Sequence, residues 1–279
     1  MRKELLYARR LRGDLGPLNN DPTRNLPGRI IAPAVSLTGV YQDYDVISAT
    51  QNYRIGSRMQ VDERVFYYGC AGNTLIPDVG AKNAYTQCVG FAAIPTEGVA
   101  AEYTIIVTVG ALDGIAGNGV IGENELRGGY IVIFMPNAAI NRRIVGNTVT
   151  TGTGPMTVTM DRPLGVIVPV TEHAEIMHSP YKSVIQSLND SYSVVGMPPV
   201  AAEVGEFLWL QTWGPVWAAA QGVVGVGQNK KVVFRNDGSL DEFDPADIAT
   251  YHAQEAGYVL CPSRTMGQGA PFFQLQLAP

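Results

Sequence analysis

The sequence predicts an all-β protein: an antiparallel β-sandwich or barrel-like body, an extended N-terminal arm and at most one or two short helices. Three observations lead there. Residues 102–109, EYTIIVTV, are dense in β-branched side chains and read as a core strand. Residues 53–72, YRIGSRMQVDERVFYYGCAG, show interrupted period-2 alternation at Tyr53, Ile55, Val61, Val65 and Tyr67 around the polar centre Asp62-Glu63-Arg64, the pattern of a hairpin. The remaining strand-length runs are separated by Gly, Pro and Asn, with no helical period alternating between them.

In chain order, residues 1–40 differ in kind from residues 41–279. They hold seven basic residues (Arg2, Lys3, Arg9, Arg10, Arg12, Arg24 and Arg29) against three acidic ones, a net +4 that leaves −9 for the remainder. Pro17, Pro22, Pro27 and Pro33 forbid a long helix and favour an extended path. Such an arm either lies over an acidic surface of a neighbouring molecule or runs as a strand along its own domain. Residues 41–279 form the β-sandwich or barrel body, as one domain or as two small β units.

Within the body the hairpin at 53–72 comes first, then a turn-rich stretch at 72–80, a small-residue segment at 81–94 and the strand at 102–109. Gly117, Gly119 and Gly122 match GxGxxG, yet the next strand begins at Tyr130 and leaves no room for the helix a dinucleotide cradle needs, so they are turn punctuation. Short strands are expected at 130–134, 156–160, 165–170 and 174–177. Two further pieces are expected at 206–213 and 216–218; in the first Phe207, Trp209, Gln211 and Trp213 share one face, and Leu208, Leu210 and Thr212 the other, so a strand covered on both sides is expected. Trp209, Trp213 and Trp217 fit core or interface packing, and also sugar stacking if they are exposed. Residues 230–234 resume a strand and Asn236-Asp237-Gly238 makes a tight turn; Asp244-Pro245 opens a helix ending near Gly257, and strands at 258–261 and 272–277 close the chain.

Composition narrows the function. Hydrophobic residues at 46% and charged residues at 16% exclude a disordered chain and suggest surface facing other protein. A net charge of −5 argues against direct nucleic-acid binding. Cys70, Cys88 and Cys261 have no CxxC or metal-type spacing and read as reduced thiols of a cytoplasmically made protein. His173 and His178 are five apart, off the spacing of a helical two-histidine metal site, so no metal or cofactor is expected. No GxSxG motif or motif-flanked cysteine is present, and the carboxylates offer only the loop pair Glu123 and Glu125, which points away from an enzyme. No signal-peptide core or membrane-length apolar run is readable, so a soluble, unexported protein is expected.

Residues 53–72 also combine a Tyr-x-x-Gly-x-Arg element with an Arg-Val-Phe-x-Tyr element and a small-residue turn. Together with Gly128-Gly129-Tyr130-Ile131-Val132, Asn141-Arg142-Arg143-Ile144 and residues 192–215 (YSVVGMPPVAAEVGEFLWLQTWGP), this run resembles segments of virion proteins of tailed bacteriophages. The likeness is to capsid decoration (cement) proteins, which clamp neighbouring major capsid subunits. It implies a homotrimer on the outer capsid surface, made in the host cytoplasm, with the major capsid protein as partner. The other reading is a carbohydrate-binding or host-recognition module of a virion, motivated by the tryptophans and the 13 tyrosines.

Overall fold

A computed structural model describes residues 30–31, 36–84, 87–188, 192–244, 254–262 and 271–279, and every regular element among them is a strand. The chain divides into two compact units, Met1–Asn83 with Ser183–Pro279, and Ala84–Lys182, so the second is inserted into the first.

The first unit begins with β1 (Ile30–Ile31), β2 (Arg58–Val61), β3 (Arg64–Cys70) and β4 (Ala81–Asn83). The second holds β5 (Gln87–Ala93), β6 (Thr104–Val109), β7 (Val120–Ile121), β8 (Tyr130–Met135), β9 (Ala138–Asn147), β10 (Thr150–Thr151), β11 (Gly154–Met160) and β12 (His173–Met177). The first then resumes with β13 (Val184–Ile185), β14 (Val194–Gly196), β15 (Phe207–Trp217), β16 (Lys231–Phe234), β17 (Leu240–Glu242), β18 (Gln254–Cys261) and β19 (Phe272–Gln276).

The expected hairpin is β2–β3. Val61 pairs with Arg64, which makes Asp62-Glu63 a two-residue turn with Asp62 at φ 55°, and places Arg64 in the strand instead of the turn. From it grows an antiparallel sheet ordered β1-β2-β3-β15-β19-β18-β16-β17, beside a small sheet β13-β4-β14. β15 is one continuous strand through Gly214-Pro215, where the sequence predicts two pieces. The register explains how proline is accommodated: β3 pairs with β15 only as far as Trp213, so at Pro215 the strand has β19 on one side and an open edge on the other. The Gln211 side-chain amide caps that edge, donating to the carbonyls of Trp213 and Pro215 at 3.1 and 2.9 Å.

Trp209 is fully buried between Tyr53 and Tyr68, with ring centroids 5.1 and 4.8 Å away. Buried Gln42 ties this cluster together: its Oε1 accepts from the Tyr68 hydroxyl at 2.8 Å and from Asn52 Nδ2 at 3.0 Å, and its carbonyl accepts from Trp209 Nε1 at 3.0 Å. Burial pushes the Tyr68 phenol up to about 12, so it serves as a neutral hydrogen-bonding group. A second core, around Phe234, Leu240, Phe273 and Leu275, lies under the C-terminal strands.

The second unit is a six-stranded sheet ordered β5-β12-β8-β9-β11-β6, with its edge strands β5 and β6 lying against each other, so that it nearly closes into a barrel. Val89, Ile105, Val107, Ile131, Ile133, Val158 and Ile176 fill it. The strand expected at 102–109 is β6, with Ile105, Val107 and Val109 inward. β9 is a strand that the sequence does not predict, because Asn141-Arg142-Arg143 hides its period; those residues face β8 across the ladder, where Asn141 is opposite Val132. Residues 165–170 make only an isolated bridge, Gly98 to Val168. The helix expected from Asp244 to near Gly257 is corrected at its C-terminal end: Gln254–Cys261 is a strand, with Gly257 paired to both Val232 and Leu275. Residues 245–253 lie outside the described residues.

Candidate functional site

In the second unit, strand parity sends Ala174 and Ile176 of β12 inward with Ile133 and Ile131 of β8. The alternate residues turn outward in register: His173 opposite Phe134, Glu175 opposite Val132, Met177 opposite Tyr130. Phe134, Tyr130 and Met177 are all exposed. β5 adds Phe91 through a bulge: Ala92 pairs with Ala174 and Val89 with Ile176, so Gly90 and Phe91 together oppose Glu175. The Asp113 carboxylate holds the bulge, accepting from Gly90 N at 3.1 Å and from Gly110 N at 2.6 Å.

The bulge puts Phe91 at φ 44°, a conformation that costs a bulky L-residue about 1–2 kcal/mol. Its ring, 62% exposed, stacks on His173 at 4.1 Å and 10° and lies 6.2 Å from Phe134. Strained backbone thus holds an aromatic side chain in water, on an outward face already rich in apolar groups.

His178 goes elsewhere. It is 3% exposed, its Nε2 lies 3.6 Å from Glu125 Oε1, and Lys182 Nζ donates to the Glu125 carbonyl at 2.6 Å. Burial, with Lys182 nearby, lowers His178 to about 4 against the opposing pull of Glu125. Burial and Glu125 push the Cys88 thiol up to about 12. Near neutral pH the imidazole is therefore neutral and the thiol protonated. Among the described residues no group of three or more His, Cys, Asp or Glu is arranged to hold a metal ion.

In the first unit, a cleft of about 250 Å³ is lined by Tyr44, Trp217 and Phe272, by Pro77, Pro198, Pro199 and Pro215, and by Arg64 and Asp78. The Arg64 guanidinium lies 4.8 Å above the Tyr44 ring, which itself stacks on Phe66 at 5.1 Å. Burial raises the Asp78 carboxyl above its ordinary range.

The three tryptophans therefore part company: Trp209 is core, Trp213 half-buried and Trp217 44% exposed at the cleft. Of the arm, Arg2, Lys3, Arg9, Arg10, Arg12, Arg24 and Arg29 lie outside the described residues, while Ile30–Ile31 pairs antiparallel with β2. Compared with known protein families, curated proteins and solved structures, the chain matches none. Sequence reasoning misses the bulged aromatic face because Phe91 sits where alternation breaks; the preceding Gly90, inside a strand-length run, is the available signal.

Proposed function

We propose that the chain is a structural virion protein that decorates a capsid, docking on major capsid subunits through the outward face of β5, β12 and β8. The observation that carries the reading is Phe91, exposed at a backbone cost and stacked on His173 beside Phe134. Binding energy at protein interfaces concentrates in a few such aromatic side chains that lose their water on contact. The resemblance of residues 53–72 and 192–215 to cement proteins supplies the capsid as partner, and a self-assembled trimer belongs to the same proposal. The carbohydrate reading has less support, since Trp217 is the only well-exposed tryptophan among the described residues.

The test is co-sedimentation with capsids lacking the protein, comparing wild type with a Phe91→Ala/Phe134→Ala double variant. Wild type should bind saturably and the variant about 30- to 1,000-fold more weakly, as expected for two side chains worth about 1–2 kcal/mol each. Equal binding would remove this face from the proposal; failure of wild type to bind any capsid would remove decoration itself.

A further inference from the structure

The loop between β6 and β7, residues 110–119 (GALDGIAGNG), is built to hold one shape. Gly114, Gly117 and Gly119 take left-handed φ angles of 84°, 62° and 72°. A Cβ at Gly114 would lie 2.7 Å from the Val120 carbonyl oxygen, and one at Gly119 would lie 2.9 Å from the Gly152 carbonyl carbon. Two glycines of the GxGxxG pattern, Gly117 and Gly119, thus serve to fold this loop. Backbone hydrogen bonds close it on itself, from Gly117 N to the Gly114 carbonyl at 3.1 Å and from Gly119 N to the Asp113 carbonyl at 2.8 Å. Within this frame Leu112 is 88% exposed, the most exposed large apolar side chain among the described residues.

The loop is also fastened to β5, at the bulge. Gly114 N donates to the Cys88 carbonyl at 2.7 Å, and the Asp113 carboxylate accepts from Gly90 N. Position 114 stands beside 88 and position 113 beside 90, so the loop runs antiparallel to β5 and brings Leu112 level with Phe91. Asp113 spends its two oxygens on two donors: Oδ1 takes Gly90 N at 3.1 Å and Oδ2 takes Gly110 N at 2.6 Å. One side chain therefore ties the start of the loop to the bulge, and sets the strained Phe91 backbone and the Leu112 tip in the same frame.

We infer that Leu112 and Phe91 form a two-pronged anchor for an apolar socket on a partner protein, and that Asp113 is the residue that positions them. The inference rests on the docking reading above: it extends that face across the loop and gives the partner surface a shape. A side chain standing so far into water as Leu112 loses that water only in a concavity. Asp113 is the only charged residue of the loop, so the basic chemistry of a lipid-bound segment is absent. Side chains already held in place lose less entropy on docking, which is what the clasp contributes to affinity.

Co-sedimentation of the full chain with capsids lacking the protein tests it, using Leu112→Ala and Asp113→Asn, together with amide hydrogen exchange followed by NMR. Leu112→Ala alters only an exposed side chain and should bind about 5- to 30-fold more weakly than wild type, as for one anchor residue. Asparagine offers one acceptor oxygen where the clasp uses two. In Asp113→Asn exchange should therefore quicken at Gly90 or Gly110, while the Val107 and Ile133 amides keep their protection. Binding by that variant should fall at least about fivefold through lost pre-organisation. Adding Leu112→Ala to it should cost less than it does in wild type, a coupling that a merely stabilising Asp113 would not produce. If Leu112→Ala binds as wild type does while Phe91→Ala/Phe134→Ala binds weakly, the face stands and the inference is overturned. Unchanged exchange at both glycines in folded Asp113→Asn would overturn the positioning role. Flotation of wild type, but not Leu112→Ala, with phosphatidylcholine–phosphatidylglycerol vesicles would overturn the protein socket in favour of a membrane. Failure of wild type to bind any capsid would remove decoration and this inference with it.

Discussion

Acidification should destabilise the second unit through one side chain. Folded His178 takes up its proton near pH 4, whereas in the unfolded chain it does so near 6.5. Between those values the unfolded state holds a proton that the folded state lacks, so stability rises with pH. The contribution is complete above pH 6.5, is lost as pH falls through the window and levels off below 4. A gap of about 2.5 pH units, at about 1.4 kcal/mol per unit, amounts to about 3 kcal/mol. Glu125, 3.6 Å away, opposes the shift, so Glu125→Gln should move the His178 proton lower still. The assay is urea unfolding of wild type and His178→Gln at intervals from pH 7.5 to 4. Because other carboxylates titrate near the acid end, the quantity to measure is the difference between the two proteins. That difference should shrink by about 2–3 kcal/mol on going from pH 7 to 4.5. A difference flat across the range would mean that His178 protonates alike in both states and would refute the role given to its burial.

Three further outcomes are expected. At Phe91, φ 44° reverses the usual ranking of alanine over glycine, and Phe91→Gly should be more stable than Phe91→Ala by about 1 kcal/mol in urea melts. Gly257→Ala should cost more than about 3 kcal/mol or prevent folding, because its Cβ would lie 1.8 Å from the Gln274 carbonyl oxygen at φ +141°; a midpoint near wild type would contradict that register. Thiol labelling of the native protein should reach exposed Cys261 first, half-buried Cys70 more slowly and Cys88 only on unfolding, since burial keeps Cys88 protonated.

The all-β class, the hairpin at Asp62-Glu63 and the strands at 102–109 and 130–134 can be read directly because there apolar side chains alternate or cluster between turn formers. Reading fails where tertiary pairing overrides local pattern. Asp244-Pro245 has the form of a helix start, yet Gly257 is drawn into a ladder by Val232 and Leu275. Gly214-Pro215 has the form of a break, yet the proline falls where one neighbour strand has ended. The sites are less readable than the strands. The cleft joins Tyr44, Pro77, Pro198 and Trp217 from four separate stretches, and Phe91 meets His173 only through a bulge. Local sequence encodes no signal for the first meeting and only Gly90, inside a strand-length run, for the second.

The insertion of Ala84–Lys182 orders events during synthesis. Val184 of β13 is the direct partner of Asn83 of β4, so the inserted chain leaves and re-enters a single ladder of the first unit. All the strands of the nearly closed barrel lie between those two points, and they can pair while the ribosome is still translating the C-terminal strands. β3 has to wait much longer: its inner neighbour, β15, emerges roughly 140 residues later, and until then the hairpin offers an unpaired edge containing Val65, Phe66 and Tyr68. An early-folding insert that holds β4 and β13 at ladder distance shortens the effective loop across which the outer sheet must close.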